Sequence, residues 1–338
     1  MKGLNRKMDN RWTGPDIRQA ERLNLKRDAN YIGTGMVFLS LLLNLTFTVV
    51  LIPLMLAGAV DPEAVASNAL YLGMGNTKYM LVYAVVYSVA MGLPMILASL
   101  LFRQPLNHFR PHQKVGAGTV IPALLLGLAM CMAANLAASS IMSFLSMFGV
   151  RMPDMPSMLE HTPVSLLLNL LVIAVLPALL EEMMFRGYIL QALRPYGDGM
   201  AILVSSLLFG LMHGNVLQIP FAVLVGLALC YIVVQTDNIW LAVGLHFLNN
   251  AFSILLDYFT MGLPEAESSM VITTAFLLVG AVGLLSTLIA VLTRSKLLHP
   301  LKPSRSALRP GERAGALFSS PLFLLGAGVF VISTLLSL

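Results

Sequence analysis

The chain has 338 residues, 57% of them hydrophobic and 11% charged, with a net charge of +5 and a mean hydropathy of +0.82. Soluble domains carry about 25% charged residues, so this composition excludes a soluble enzyme and predicts an all-α, multi-pass membrane protein. The basic residues stand beside apolar runs, where they set topology, and form no surface that could follow a phosphate backbone, so nucleic acid is excluded as a partner.

In chain order, residues 1–31 are polar and highly charged and read as a cytoplasmic tail with a surface-lying amphipathic segment. The first apolar run is long enough to span, so the start is not a cleaved signal. A span needs about 20 apolar residues. Apolar runs near 32–57, 79–101, 118–147, 164–194, 199–213, 217–235, 239–259, 271–293 and 315–336 predict eight or nine spans, the fifth of them short. The organisation expected is an N-terminal membrane unit (32–150), a core (164–260) and a C-terminal unit (261–338). The C-terminal unit contains a basic connector at 294–313, with Pro300, Pro303 and Pro310, and a last span that reads as a peripheral addition. Pro177 lies inside the fourth span and should free the carbonyl of Ile173. Cys131 and Cys230 sit in apolar runs and read as small core residues. With the tail in the cytoplasm, every Lys and Arg except Lys78 and Arg151 falls on that side, the orientation expected in a cell membrane.

The most telling feature is Glu181-Glu182 with Arg186 inside an apolar span. One ionised side chain at a bilayer centre costs roughly 2.5–3.5 kcal/mol, so an intramembrane cluster of charges marks a functional site. Residues four apart share a helix face, which pairs Glu182 with Arg186 and leaves Glu181 free. The plain alternative is a structural ion pair with a snorkelling Glu181. His213 closes the fifth span and alone would be an interfacial histidine. His246 and Asn250 share a face of the seventh span, with Asn249 pointing away, and alone would be helix-to-helix contacts. Depth argues for more. At 1.5 Å per residue, Glu181 lies roughly 20 Å from Arg194, His213 about 21 Å from Gly199, and His246 and Asn250 about 10 and 17 Å from Ile239. Three antiparallel neighbours would therefore bring these groups together. Asn44, Asn135 and Asn169 read as isolated helix contacts, and Asp257 as a carboxylate at the membrane boundary.

A carboxylate in a water-poor cavity is suited to general-base work. Glu181 with His213 could deprotonate a water, while His246 and Asn250 stabilise an oxyanion. The same groups could instead hold zinc through Glu181, His213 and His246. Spacing does not separate the two schemes, although the HExxH arrangement of soluble zinc proteases is absent.

Glu181-Glu182-x-x-x-Arg186, Phe209-x-x-x-His213 and His246-x-x-x-Asn250 together resemble the CPBP intramembrane protease family, which includes CAAX proteases and bacteriocin-processing enzymes. The resemblance covers about residues 164–260 and implies an integral membrane endopeptidase. It implies water activation by Glu181 and His213, oxyanion binding by His246 and Asn250, and support from Glu182 and Arg186. The family is described both as metalloproteases and as glutamate-dependent proteases, so no cofactor other than a divalent metal such as zinc comes into question. The expected partners are a peptide or protein substrate, prenylated or membrane-bound, and the lipid bilayer, with the site opening to the cytoplasm. The rival classes are a proton-coupled transporter, since Glu and His also build proton relays, and a non-catalytic membrane scaffold or immunity protein.

Overall fold

A computed structural model describes residues 14–67, 70–104, 113–149, 158–216, 218–293 and 295–336. Among them the regular structure is helical, with no strand. The main helices are α1 (Gly14–Leu56), α2 (Asn76–Leu101), α3 (Ala117–Ser146), α4 (Pro163–Tyr196) and α5 (Asp198–Met212). They continue as α6 (Ile219–Thr236), α7 (Ile239–Thr260), α8 (Glu265–Leu292), α9 (Pro310–Phe318) and α10 (Pro321–Leu336).

Seven helices are long and apolar enough to cross a membrane, and eight if α9 and α10, bent by 76° at their junction, form one span. The protein is thus a polytopic helical bundle. The segment expected as a fifth span is α5, of 15 residues. Its length of about 22 Å falls short of the hydrocarbon thickness of about 30 Å.

The ends of the bundle are chemically distinct. At one end Arg194 bridges Asp198 and Asp237 at 3.1 and 2.7 Å, Asn238 donates to the Gln113 carbonyl, and Tyr196 donates to Asp28. Arg313 reaches the Tyr196 carbonyl at 2.7 Å. At the opposite end Asn76 donates to the Met158 carbonyl at 2.7 Å. There Thr162 caps α4 by accepting from the Ser165 amide, with Pro163 in the first turn, where its missing N–H costs nothing. Among the described residues Lys78 alone of the Lys and Arg side chains stands at this second end, and Arg186 lies within the bundle. Lys2, Arg6, Lys7, Arg11, Arg110, Arg151 and Arg294, used above for topology, lie outside the described residues.

Two expectations change. Residues 14–31 are not a segment lying on the membrane surface but the first turns of α1, and Leu25, Ala29 and Tyr31 are buried. Glu21 fixes the connector by accepting from the Ser306 hydroxyl and the Ala307 amide. Nor is the last span peripheral, since Phe323 and Phe330 of α10 belong to the main core. The reason is small-residue packing: a Cβ on Gly33 would stand 2.1 Å from the Leu322 carbonyl oxygen, and one on Gly326 2.7 Å from that of Gly33. Without a hydrophobic drive between helices in lipid, such close approach supplies the attraction. The small residues lie on two distant helices, so neither shows a motif alone.

Candidate active site

The site is organised by α4, which is not a regular helix. It passes through wide turns at Leu170–Val175 and Met183–Ile189, where the winding is π rather than α. Pro177 offers no N–H to Ile173, and the orphaned carbonyl is met by the Asn250 amide of α7 at 2.9 Å. Such local rewinding is frequent where helices carry functional groups. Here it lies on either side of the Glu181-Glu182 pair.

Glu182 and Arg186 form the pair expected from their spacing, Oε1 to Nη1 at 2.8 Å, with both side chains fully buried. Arg186 also donates to the Gly226 carbonyl at 3.3 Å, and its Cζ lies 4.3 Å from the centre of the Phe209 ring. The carbonyl is within reach because α6 approaches closely at Gly226, where a Cβ would meet the Ser206 backbone at 3.1 Å. Glu182 Oε1 serves a second group, the Nδ1 of His246, at 2.8 Å. That contact puts the Nδ1 proton on the carboxylate side and turns Nε2 toward Glu181 Oε2, 3.9 Å away.

Glu181 is not free. Its Oε1 accepts from the Tyr87 hydroxyl of α2 at 2.5 Å, while its buried Oε2 has no hydrogen-bond partner. Tyr87 was missed in the sequence. The signal was present: Tyr79, Tyr83 and Tyr87 recur at four-residue spacing and stack at 6.3 and 5.8 Å on one face of α2. Replacing Tyr87 with Phe removes one hydrogen bond to a carboxylate, worth about 1.5–3 kcal/mol. The expected result is a fall in kcat of about tenfold or more with KM nearly unchanged and a lowered melting temperature. Unaltered kcat would deny the hydroxyl a part in holding Glu181.

His213 stands at the end of α5, which Gly214 terminates in a left-handed conformation (φ +62°). Its Nδ1 is 2.8 Å from the Phe209 carbonyl, which can only accept, so Nδ1 carries a proton and the neutral ring offers its lone pair at Nε2. Asn250 spends an amide hydrogen on Ile173, and its Oδ1 accepts from Asn249 at 3.1 Å, leaving one N–H to offer. Asn249, expected to point away, is buried beside the site with its Oδ1 unpartnered.

Glu181, His213, His246 and Asn250 all line one cavity of about 570 Å³, together with Tyr83, Tyr87, Asn135 and Asn249. Asn135 is therefore a cavity residue as well as a helix contact. The cavity does not run toward the basic end. Its lining continues through Ser253 to the exposed Asp257 on α7 and to Gln218 before α6, all at the opposite end. Among the described residues no three His, Cys, Asp or Glu side chains are grouped to hold a metal ion. Glu181, His213 and His246 thus share a cavity without being grouped as a three-residue ligand set.

Residues 163–252 match a family described as Rce1-like, type II CAAX prenyl endopeptidase Rce1-like. The match spans all three motifs on which the resemblance to CPBP intramembrane proteases rests. No curated protein and no solved structure matches the chain.

Proposed function

Starting from a core segment of the CAAX-type intramembrane protease family, we propose that this multi-pass membrane protein hydrolyses peptide bonds with a water activated by Glu181 and His213. The observation that carries the reading is the buried, unpartnered Oε2 of Glu181, facing an imidazole inside a polar-lined cavity. A burial of that kind costs stability, and a catalytic role accounts for its being kept. A water in the cavity can give its proton to Glu181 Oε2 while His213 Nε2 accepts its second hydrogen, which aims an oxygen lone pair at the scissile carbonyl.

The charges around the water are arranged for the oxyanion that follows. Arg186 and the two carboxylates place His246 in an acidic setting, where a second ring proton would be offset by charge. Held at Nδ1 by Glu182, the ring donates to the developing oxyanion when Nε2 also carries a proton. The remaining N–H of Asn250 is the second donor. Glu181, once protonated, delivers its proton to the leaving amine.

The direct test compares peptides released from purified wild-type protein and from Glu181→Ala in detergent. Site-specific fragments formed only by the wild type support the reading, and identical fragment sets refute it. A proton-coupled transporter would form no fragments from either. In the metal-free scheme favoured here, hydrolysis is expected to survive exhaustive chelation. Stoichiometric zinc that tracks with activity and is lost in His246→Ala would overturn the metal-free scheme.

A further inference from the structure

The cavity lining reaches exposed residues at one end of the bundle, and the position of that end bears on the substrate. Between the Glu181–His246 pair and the basic end of the bundle, Phe185, Ile189, Leu190 and Leu193 of α4 and Ala242 and Leu245 of α7 are fully buried. A small crevice of about 120 Å³ does enter from the basic end, but it stops at Tyr31 and Tyr188 and shares no lining residue with the cavity. Toward the opposite end the wall passes from buried His246 and Asn249 to exposed Ser253 and Asp257. Lys and Arg gather at the cytoplasmic ends of membrane helices. Arg27, Arg103, Lys114, Arg194, Lys302 and Arg313 mark the sealed end of this bundle.

We infer that the cavity admits its substrate from the non-cytoplasmic side, and that the substrate is an extended internal segment of a polypeptide exposed there. The inference rests on the hydrolase reading for the word substrate, but its account of access does not. The distance is readable from α7: Asp257 is eleven residues beyond His246, or about 16 Å along the helix. An extended chain rises about 3.3 Å per residue, so about five residues must thread from the mouth to the reacting groups. Asn249 Oδ1, buried and without a partner, supplies an acceptor for a backbone N–H of such a strand. Among the described lining residues there is no Lys or Arg, while Asp257 stands at the mouth. Along the described lining, a substrate ending in a free carboxylate within those five residues would meet the Asp257 carboxylate and no Lys or Arg. A continuous segment brings no such charge.

The test uses single added cysteines and a membrane-impermeant maleimide on right-side-out and inverted vesicles. The unaltered chain, whose Cys131 and Cys230 are buried, sets the background. Gln113→Cys reports the basic end and Glu265→Cys the opposite one. Ser253→Cys at the mouth is expected to label with Glu265→Cys in right-side-out vesicles and to stay dark where Gln113→Cys labels. Labelling of Ser253→Cys from the Gln113 side, or from neither side, would overturn the inference. So would labelling of Glu265→Cys only in inverted vesicles. A second arm adds two impermeant peptides of one sequence to right-side-out vesicles, one with the cut site internal and one ending three residues after it. Cleavage of the internal peptide at least tenfold faster is expected, and the reverse preference would overturn the internal-segment claim. Should detergent-solubilised protein cleave neither peptide, the hydrolase reading fails, while the labelling pattern still decides access.

Discussion

Glu181→Gln should lower turnover by about 10²-fold or more while the protein stays folded and inserted. General-base catalysis contributes roughly 10²–10⁴, and an amide cannot take a proton from water at neutral pH. The structure explains why stability should not suffer. A glutamine at 181 can still accept from the Tyr87 hydroxyl through its oxygen, and its NH₂ would face the His246 Nε2 now 3.9 Å from Glu181. The substitution also removes a buried charge whose Oε2 has no partner, so the melting temperature is expected to hold or rise. Single-turnover hydrolysis and a thermal melt on the same preparation read both quantities. Activity within a few-fold of wild type would remove Glu181 from the mechanism.

Glu182→Ala should behave in the opposite way, as a folding defect. Its Oε1 holds both Arg186 and His246 at 2.8 Å, all of them buried. Removal strands a fully buried guanidinium whose remaining contacts are one long bond to the Gly226 carbonyl and the Phe209 face. Breaking a buried pair by deleting one partner costs roughly 3–5 kcal/mol, enough to consume much of the stability of a typical domain. Low yield and a strongly lowered melting temperature are expected. The double exchange Glu182→Arg with Arg186→Glu would restore opposite charges at the same spacing, but would set a guanidinium against His246 Nδ1. It should recover part of the folding and none of the activity. Wild-type yield and melting temperature for Glu182→Ala would mean that the ion pair does not hold the site together.

Local chemistry determined a good deal without any coordinates. Apolar runs and sparse charge specify a polytopic helical bundle, because only helices satisfy their own backbone in lipid. Four-residue spacing is a property of one helix, so the Glu182–Arg186 pair and the shared face of His246 and Asn250 could be read from residue order. Pro177 announced a freed carbonyl at Ile173 for the same reason. What met that carbonyl could not be read, because Asn250 arrives from another helix. Tyr87 on Glu181, Glu182 as the acceptor for His246, and the buried Asn249 were decided by the same tertiary packing. So was the contact of α1 with α10 at Gly33 and Gly326, where two unremarkable glycines gain meaning only as facing surfaces. The direction in which the cavity opens is the clearest case. Depth along each helix placed the polar groups near one another, but a passage exists only where several helices splay together, and no single helix carries that property in its sequence.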